Sequence, residues 1–317
     1  MNSVIVCDNL TKHYKNITAL DRLNLEISKN TILGFLGING AGKTTTIKLL
    51  NNLIKPTTGN AYIYGQSILK DPLKLKTMIG YLSQEPAFYP WMTPKEFLTY
   101  VGEVFNLKKN TIRERVDRLL HDLDLAEVTE KRIGEFSTGM RQRLGIAQAL
   151  INEPKVVFLD EPVSSLDPLG RIQVLNIIKS LKGKATIVMS SHILNDVERV
   201  CDEVAIIDHG KLLIHEKLPV LKDRYFSRTI LIHCQEPLER FKDILQKQDF
   251  IKTVEWIVAT PEMPNGLKII SKDFGLAEKE LPALIVKHGL TLKHYEFLSP
   301  NLEDIFISLV HNPIKEN

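Results

Sequence analysis

Ile32-Leu33-Gly34-Phe35-Leu36-Gly37-Ile38-Asn39-Gly40-Ala41-Gly42-Lys43-Thr44-Thr45 is the stretch on which the fold of this chain turns. Ile32 to Leu36 is a continuous apolar run, as expected of a buried parallel strand. It runs straight into a glycine-rich loop, and residues 37 to 44 fit G-x-x-x-x-G-K-[ST] at every fixed position. The spacing has a mechanical reason. Glycines let the backbone curl so that successive N–H groups face inward and cradle phosphate oxygens. A helix starting there adds roughly half a positive charge at its N-terminus. Lys43 is then placed to reach the β- and γ-phosphates, and the Thr44 hydroxyl to ligate Mg²⁺. Ile47, Leu50 and Leu53 recur at helical spacing after the loop, so the motif sits between a strand and a helix.

Outward from the loop, Leu23, Leu25 and Ile27 alternate with polar residues, the period of a half-buried strand. Short apolar runs at Met78 to Leu82, Val156 to Leu159, Ala185 to Met189 and Val204 to Ile207 suit buried parallel strands. Helical patterns lie between most of them, which predicts an α/β fold with a mostly parallel sheet. Thr93 to Ile133 breaks that rhythm with apolar residues at helical intervals. It reads as an inserted helical subdomain, continued by a helix at Arg141 to Leu150. Beyond about Leu218 the expected order is strand Thr229 to Cys234, helix Leu238 to Leu245 and strand Thr253 to Ala259. A Pro261 to Gly266 turn, strand Leu267 to Ser271, helix Ala277 to His288, strand Thr291 to Phe297 and a last helix Leu302 to Leu309 follow. Six of these run β-α-β-β-α-β, the split order of ferredoxin-like domains.

Val156-Val157-Phe158-Leu159 ends in two adjacent carboxylates, Asp160 and Glu161. A strand buried on both faces has no use for acids at its tip unless they serve a site. Asp160 can hold Mg²⁺ through water, as the second acidic element of phosphate-loop NTPases does. Glu161, one residue on, can polarise an attacking water as general base.

In this order the motifs resemble those of ATP-binding cassette ATPases over about residues 3 to 217. The resemblance implies a P-loop NTPase fold with a mostly parallel sheet, an antiparallel β edge and a helical subdomain at about 93–150. A domain at 1–217 is followed by a small α+β domain at 218–317. It implies ATP and Mg²⁺ as ligands, with Gly37, Asn39, Gly40, Ala41, Gly42, Lys43, Thr44 and Thr45 around the phosphates. Tyr14 matches the aromatic that stacks on adenine. Gln84 matches the glutamine that touches Mg²⁺ and senses the transport partner, and His192 the switch histidine at the γ-phosphate. Phe136-Ser137-Thr138-Gly139-Met140 occupies the signature position, and Ser165-Leu166-Asp167 that of the D-loop.

Ser137 is a good N-cap residue, and its helix offers free N–H groups to an anion. By resemblance, Ser137 and Gly139 close on the γ-phosphate of a second copy. That makes ATP the glue of a homodimer. The usual signature is Leu-Ser-Gly-Gly-Gln, so Phe136, Thr138 and Met140 depart from it. Thr138 matters most, because a side chain replaces hydrogen where backbone approaches phosphate.

Ser299-Pro300-Asn301-Leu302-Glu303-Asp304-Ile305-Phe306 looks like the tail motif of bacterial drug- and lipid-type exporter ATPases, whose permease is a separate integral membrane chain. The aromatic cluster Phe88-Tyr89-Pro90-Trp91 follows Gln84, where that family borders the groove for the permease. Importer-type and soluble non-transport ATPases of the family stay as alternatives. A GTP-binding switch is disfavoured because no Asn-Lys-x-Asp motif occurs.

Forty-one basic against 38 acidic residues give a net charge of +3 without a basic stripe, which argues against nucleic acid. Met1 to Asp8 lacks the pattern of a signal peptide, and no run reaches the ~18 apolar residues that span a bilayer. The expected place is cytoplasmic, peripheral at the inner face of the membrane through the permease. Cys7, Cys201 and Cys234 lack metal-ligand or redox spacing and read as buried or free thiols.

Overall fold

A computed structural model of the chain describes residues 3–224, 229–257, 265–298 and 301–311. Among these, the strands are β1 (Ser3–Tyr14), β2 (Ile17–Ser28), β3 (Ile32–Leu36), β4 (Thr58–Ile63), β5 (Gln66–Ser67), β6 (Ile79–Leu82), β7 (Val156–Asp160), β8 (Thr186–Ser191), β9 (Glu203–Asp208) and β10 (Lys211–Lys217). Four more follow: β11 (Thr229–Cys234), β12 (Ile251–Trp256), β13 (Asn265–Ser271) and β14 (Leu292–Leu298). The helices are α1 (Lys43–Leu50), α2 (Pro72–Met78), α3 (Pro94–Val104), α4 (Lys109–Asp122), α5 (Thr138–Leu150), α6 (Pro168–Ser180) and α7 (Leu194–Val200). Then come α8 (Leu218–Arg224), α9 (Glu239–Gln246), α10 (Phe274–Lys287) and α11 (Leu302–His311).

The chain divides into two compact units, one running to Leu218 and taken up again from Phe306, the other from Pro219 to Ile305. In the first, a six-stranded sheet has the order β10-β9-β3-β8-β7-β6. Strands β9, β3, β8, β7 and β6 are parallel, and β10 closes one edge antiparallel to β9. An antiparallel sheet, β2-β1-β4-β5, shares its core: Leu10, Leu20, Leu23 and Ile27 join Phe35, Phe158 and Val188, all nearly inaccessible. Strands β3 and β7, apolar but for Asp160 at the tip of β7, are buried at every residue, as helix-covered parallel strands must be. Parallel pairing brings the C-terminal tips of β3, β7 and β8 to one end of the sheet, which is where such sheets bind ligands.

Helices α3, α4 and α5 fall within residues 93–150. Thr93 and Glu96 make a reciprocal capping box at the start of α3. Arg115 and Arg118 of α4 both reach Glu153, at 2.6 and 2.7 Å.

Several expected boundaries move. Leu53 is not on a helix: α1 stops at Leu50, and Leu53 is 50% exposed. Asn51 caps the helix and Asn52 turns left-handed (φ 53°), a conformation asparagine tolerates. Helix α5 starts three residues before Arg141, because Ser137 caps it by accepting from the Met140 N–H at 3.2 Å. Strand β1 and residues 58–77 carry elements without a clean period, and sequence reading did not find them. All three cysteines are buried and unpaired; burial pushes the Cys7 thiol up to about 12.

In the second unit β11-α9-β12-β13-α10-β14 builds an antiparallel sheet of order β12-β13-β11-β14, the split βαβ arrangement. Ile230, Ile232 and Cys234 of β11 pack with Phe241 and Leu245 of α9 and Leu281 and Ile285 of α10. Strand β12 starts at Ile251 rather than Thr253. Val258, Ala259, the turn from Pro261, Ser299 and Pro300 lie outside the described residues.

Candidate nucleotide site

Gly37 follows β3 and turns the chain beneath β9. A Cβ there would lie 2.5 Å from the Ile207 carbonyl oxygen, so no other residue fits without moving backbone. Gly42 has φ 111°, with the Ala19 carbonyl oxygen 2.5 Å from where a Cβ would sit. Both the torsion and the contact require glycine at that point. The loop therefore curls with α1 starting at Lys43.

Lys43 is buried with its charge. Its ammonium donates to the carbonyls of Gly37 (2.7 Å) and Ile38 (3.3 Å) and lies 3.4 Å from Oε1 of Glu161. Nδ1 of His192 is 2.8 Å from Oε2 of the same carboxylate. Glu161 is itself held in the left-handed region (φ 50°), uncommon for a residue with a side chain. Its N–H donates to the Ser190 hydroxyl at 2.9 Å. Backbone strain of this kind persists where surrounding contacts over-determine it, as they do here.

Asp160 ends β7 at 1% exposure. Its Oδ1 accepts from the hydroxyls of Thr44 (3.0 Å) and Ser190 (2.7 Å). Burial pushes the pKa of its carboxyl above the usual carboxylate range, and the two hydroxyl bonds oppose that rise.

A cleft of about 360 Å³ gathers Asn39, Gly40, Gly42, Lys43, Thr44, Thr45, Gln84, Glu161 and His192 along with Ala19. Gly37, Ala41 and Asp160 are buried around it. Four further expected residues are not among its lining either. Tyr14 stands at the end of β1, 44% exposed, with the Lys12 ammonium 5.0 Å above its ring. Ser137 and Gly139 sit at the outer tip of α5. Asp167 caps α6 by accepting from the Gly170 N–H at 3.1 Å. Ser190 was missed by sequence reading. The signal was a polar pair, Ser190-Ser191, ending a strand otherwise apolar and just before His192.

The residues of a model of the ABC transporter family match this chain over residues 20–164. An uncharacterized ABC transporter ATP-binding protein of Bacillus subtilis, YxlF, is 34% identical over 96% of this chain and 98% of its own length. The chain belongs to the ABC transporter ATP-binding proteins. Among them, the bacitracin transport ATP-binding protein BcrA of Bacillus licheniformis is 36% identical over 98% of both chains. The solved ATP-binding subunit of an ABC transporter superposes with a TM-score of 0.65 at 28% identity, covering 70% of this chain and 93% of that one. A second ATP-binding cassette, solved as a dimer in a post-hydrolysis state with ADP and Pi, gives 0.62 at 26% identity over 68% and 98%. This ABC protein is accordingly an ATPase with the P-loop fold. No helix among its described residues is long and apolar enough to cross a membrane.

Proposed function

We propose that the chain binds Mg-ATP at the 37–45 loop, hydrolyses it with Glu161 as general base, and drives export through a separate permease. The observation carrying the site assignment is the convergence on one cleft of Lys43, Gln84, Glu161 and His192, from four different elements. Lys43 and the loop N–H groups bind the β- and γ-phosphates. Glu161 takes a proton from the attacking water, and His192, bonded to the same carboxylate, orients it and faces the γ-phosphate.

The oxygens of Thr44, Asp160 and Gln84 suit Mg²⁺, a hard cation that retains water and phosphate ligands. Thr44 and Asp160 are already 3.0 Å apart. No cluster of three His, Cys, Asp or Glu in metal-holding positions occurs among the described residues, in keeping with a site completed by substrate. When bound, Mg²⁺ neutralises charge on the phosphates.

Ser137 and Gly139 are exposed or half-exposed and do not line the chain's own cleft. That supports their acting on ATP held by a second copy, with Tyr14 serving as the adenine platform and Asp167 lying at the joint. The dimeric state of the ADP-and-Pi cassette supports the same pairing.

For the permease, an aromatic face beside Gln84 is the proposed dock. Phe88 stands edge-on to Phe97 at 5.1 Å, and Tyr89 lies 5.3 Å from Trp91, which is 63% exposed. A mostly apolar cleft of about 500 Å³ opens beside it, edged by Leu73, Tyr81 and Val104. Aromatic anchors next to a pocket are what a partner helix needs. The likeness to a bacitracin transport protein and the 299–306 tail support the export direction. The place of action is then the cytoplasmic face of the membrane.

Glu161→Gln should leave ATP bound and trap a dimer visible by light scattering, while Lys43→Ala should abolish binding. A Glu161→Gln protein that stays monomeric at saturating Mg-ATP refutes the composite site. Export is tested by co-expression with a candidate permease: uptake rather than release of its substrate by sealed right-side-out vesicles would reverse the direction.

A further inference from the structure

We propose that Phe306 is a positioning residue for the loop that carries His192. The proposal rests on the assignment of ATP hydrolysis to the 37–45 loop and Glu161. A second cleft, of about 240 Å³, lies beside the nucleotide cleft and is lined by Leu36, Gly37, Ile38, Asn39, His192 and Leu194, with Phe306 as its one aromatic wall. Phe306 belongs to the same compact unit as those residues. Leu309, three residues further along α11 in the same unit, is almost fully buried, and Phe306 is half-buried.

The two loops that meet at this cleft are those whose positions decide catalysis. Ile38 and Asn39 are the outer part of the phosphate loop, exposed to solvent, and Ile38 lends its carbonyl to Lys43. His192 has a 42% exposed side chain, anchored through Nδ1 to Glu161. Ser191, next to it, holds the bend by accepting from the Ile193 N–H at 2.9 Å. A half-exposed imidazole with one hydrogen bond can swing. The Phe306 ring lines the same cleft as the imidazole and the Ile38-Asn39 turn, and its bulk there narrows the range both can sample. Removing the ring widens the cleft and leaves the bond to Glu161 as the main restraint on His192. Small misplacements of this kind lower turnover far more than ground-state binding.

The experiment is a double-mutant cycle on the full chain, reading ATP turnover, nucleotide affinity and melting temperature. Wild type must hydrolyse ATP and Lys43→Ala must not; a wild-type protein without turnover brings down the underlying assignment, and this proposal with it. With that established, Phe306→Ala should lower kcat roughly tenfold while the ATP dissociation constant stays within about twofold. Phe306→Met, which keeps the apolar bulk, should recover at least half of the loss. In a His192→Ala background Phe306→Ala should add nothing, because the group it positions is gone. Ile307→Ala, on the exposed side of α11, should behave as wild type. Should Phe306→Ala show no cooperative melt, Phe306→Leu replaces it in the cycle. An unchanged kcat, or a loss that multiplies unaltered with that of His192→Ala, overturns the proposal and leaves the ATPase assignment standing.

Discussion

The ammonium of Lys43 lies 3.4 Å from a carboxylate oxygen of Glu161, with both side chains more than nine-tenths buried. Opposite charges so placed depend on each other, since either alone would be a charge stripped of water. Lys43→Ala should therefore cost stability as well as ATP binding, about 3 kcal/mol by the usual penalty for an orphaned buried charge. His192, on the other oxygen, softens that penalty. Lys43→Ala/Glu161→Gln should melt above Lys43→Ala alone, and strictly additive losses in the thermal melts would contradict the coupling.

Ser190 joins the two acids from behind, donating to Asp160 and accepting from the Glu161 N–H. Ser190→Ala leaves a buried N–H and a buried carboxylate oxygen each one bond short. A loss of about 1–3 kcal/mol is expected in urea denaturation. Turnover should also demand more Mg²⁺, because Asp160 loses a bond that favours its charged form. A Mg²⁺ titration of ATPase rate reads this directly.

The loop glycines should differ sharply from one another. Gly40 has φ 85° but open space where a Cβ would go, so Gly40→Ala carries mainly the left-handed cost of about 1–2 kcal/mol. Gly42 adds a collision with the Ala19 carbonyl. Gly42→Ala should lose binding of a fluorescent ATP analogue while Gly40→Ala retains it. Equal affinities would show that the loop adjusts more freely than its contacts indicate.

Glu153 anchors the helical subdomain through Arg115 and Arg118. The hydrogen bond from Arg118, aided by both guanidinium charges, holds its carboxyl below the usual glutamate value, against some desolvation. A depressed folded-state value means stabilisation that is complete above the unfolded-state value and fades as pH falls through the folded one. The side chain is half exposed, so solvent screening keeps the effect small. Glu153→Gln should flatten the acid limb of a stability–pH curve below about pH 4.5. An identical acid limb in both proteins would remove Glu153 from the account.

The parts legible in sequence were those with a local code. Strands β3 and β7 read as runs because both faces are covered. Gly37 and Gly42 announced themselves because crowding, and at Gly42 torsion too, leaves no alternative residue, and the β-α-β-β-α-β order gave the second unit's sheet. Strand β1 escaped because its polar residues face an edge sheet and bulges interrupt its alternation. Helix α1 was overrun to Leu53 because apolar spacing outweighed the Asn51-Asn52 stop.

Sequence alone determined that a strand, a phosphate-gripping loop and a helix follow one another, that two acids end a buried strand, and that a histidine ends another. These depend on neighbours within a few residues, where backbone sterics and periodicity act. Tertiary structure alone decided that Ser190 binds Asp160 across 30 positions, that Glu161 bridges Lys43 and His192, and that Phe306 stands beside the phosphate loop. Those relations arise from parallel strand register and burial, which set distances between residues that no local pattern connects.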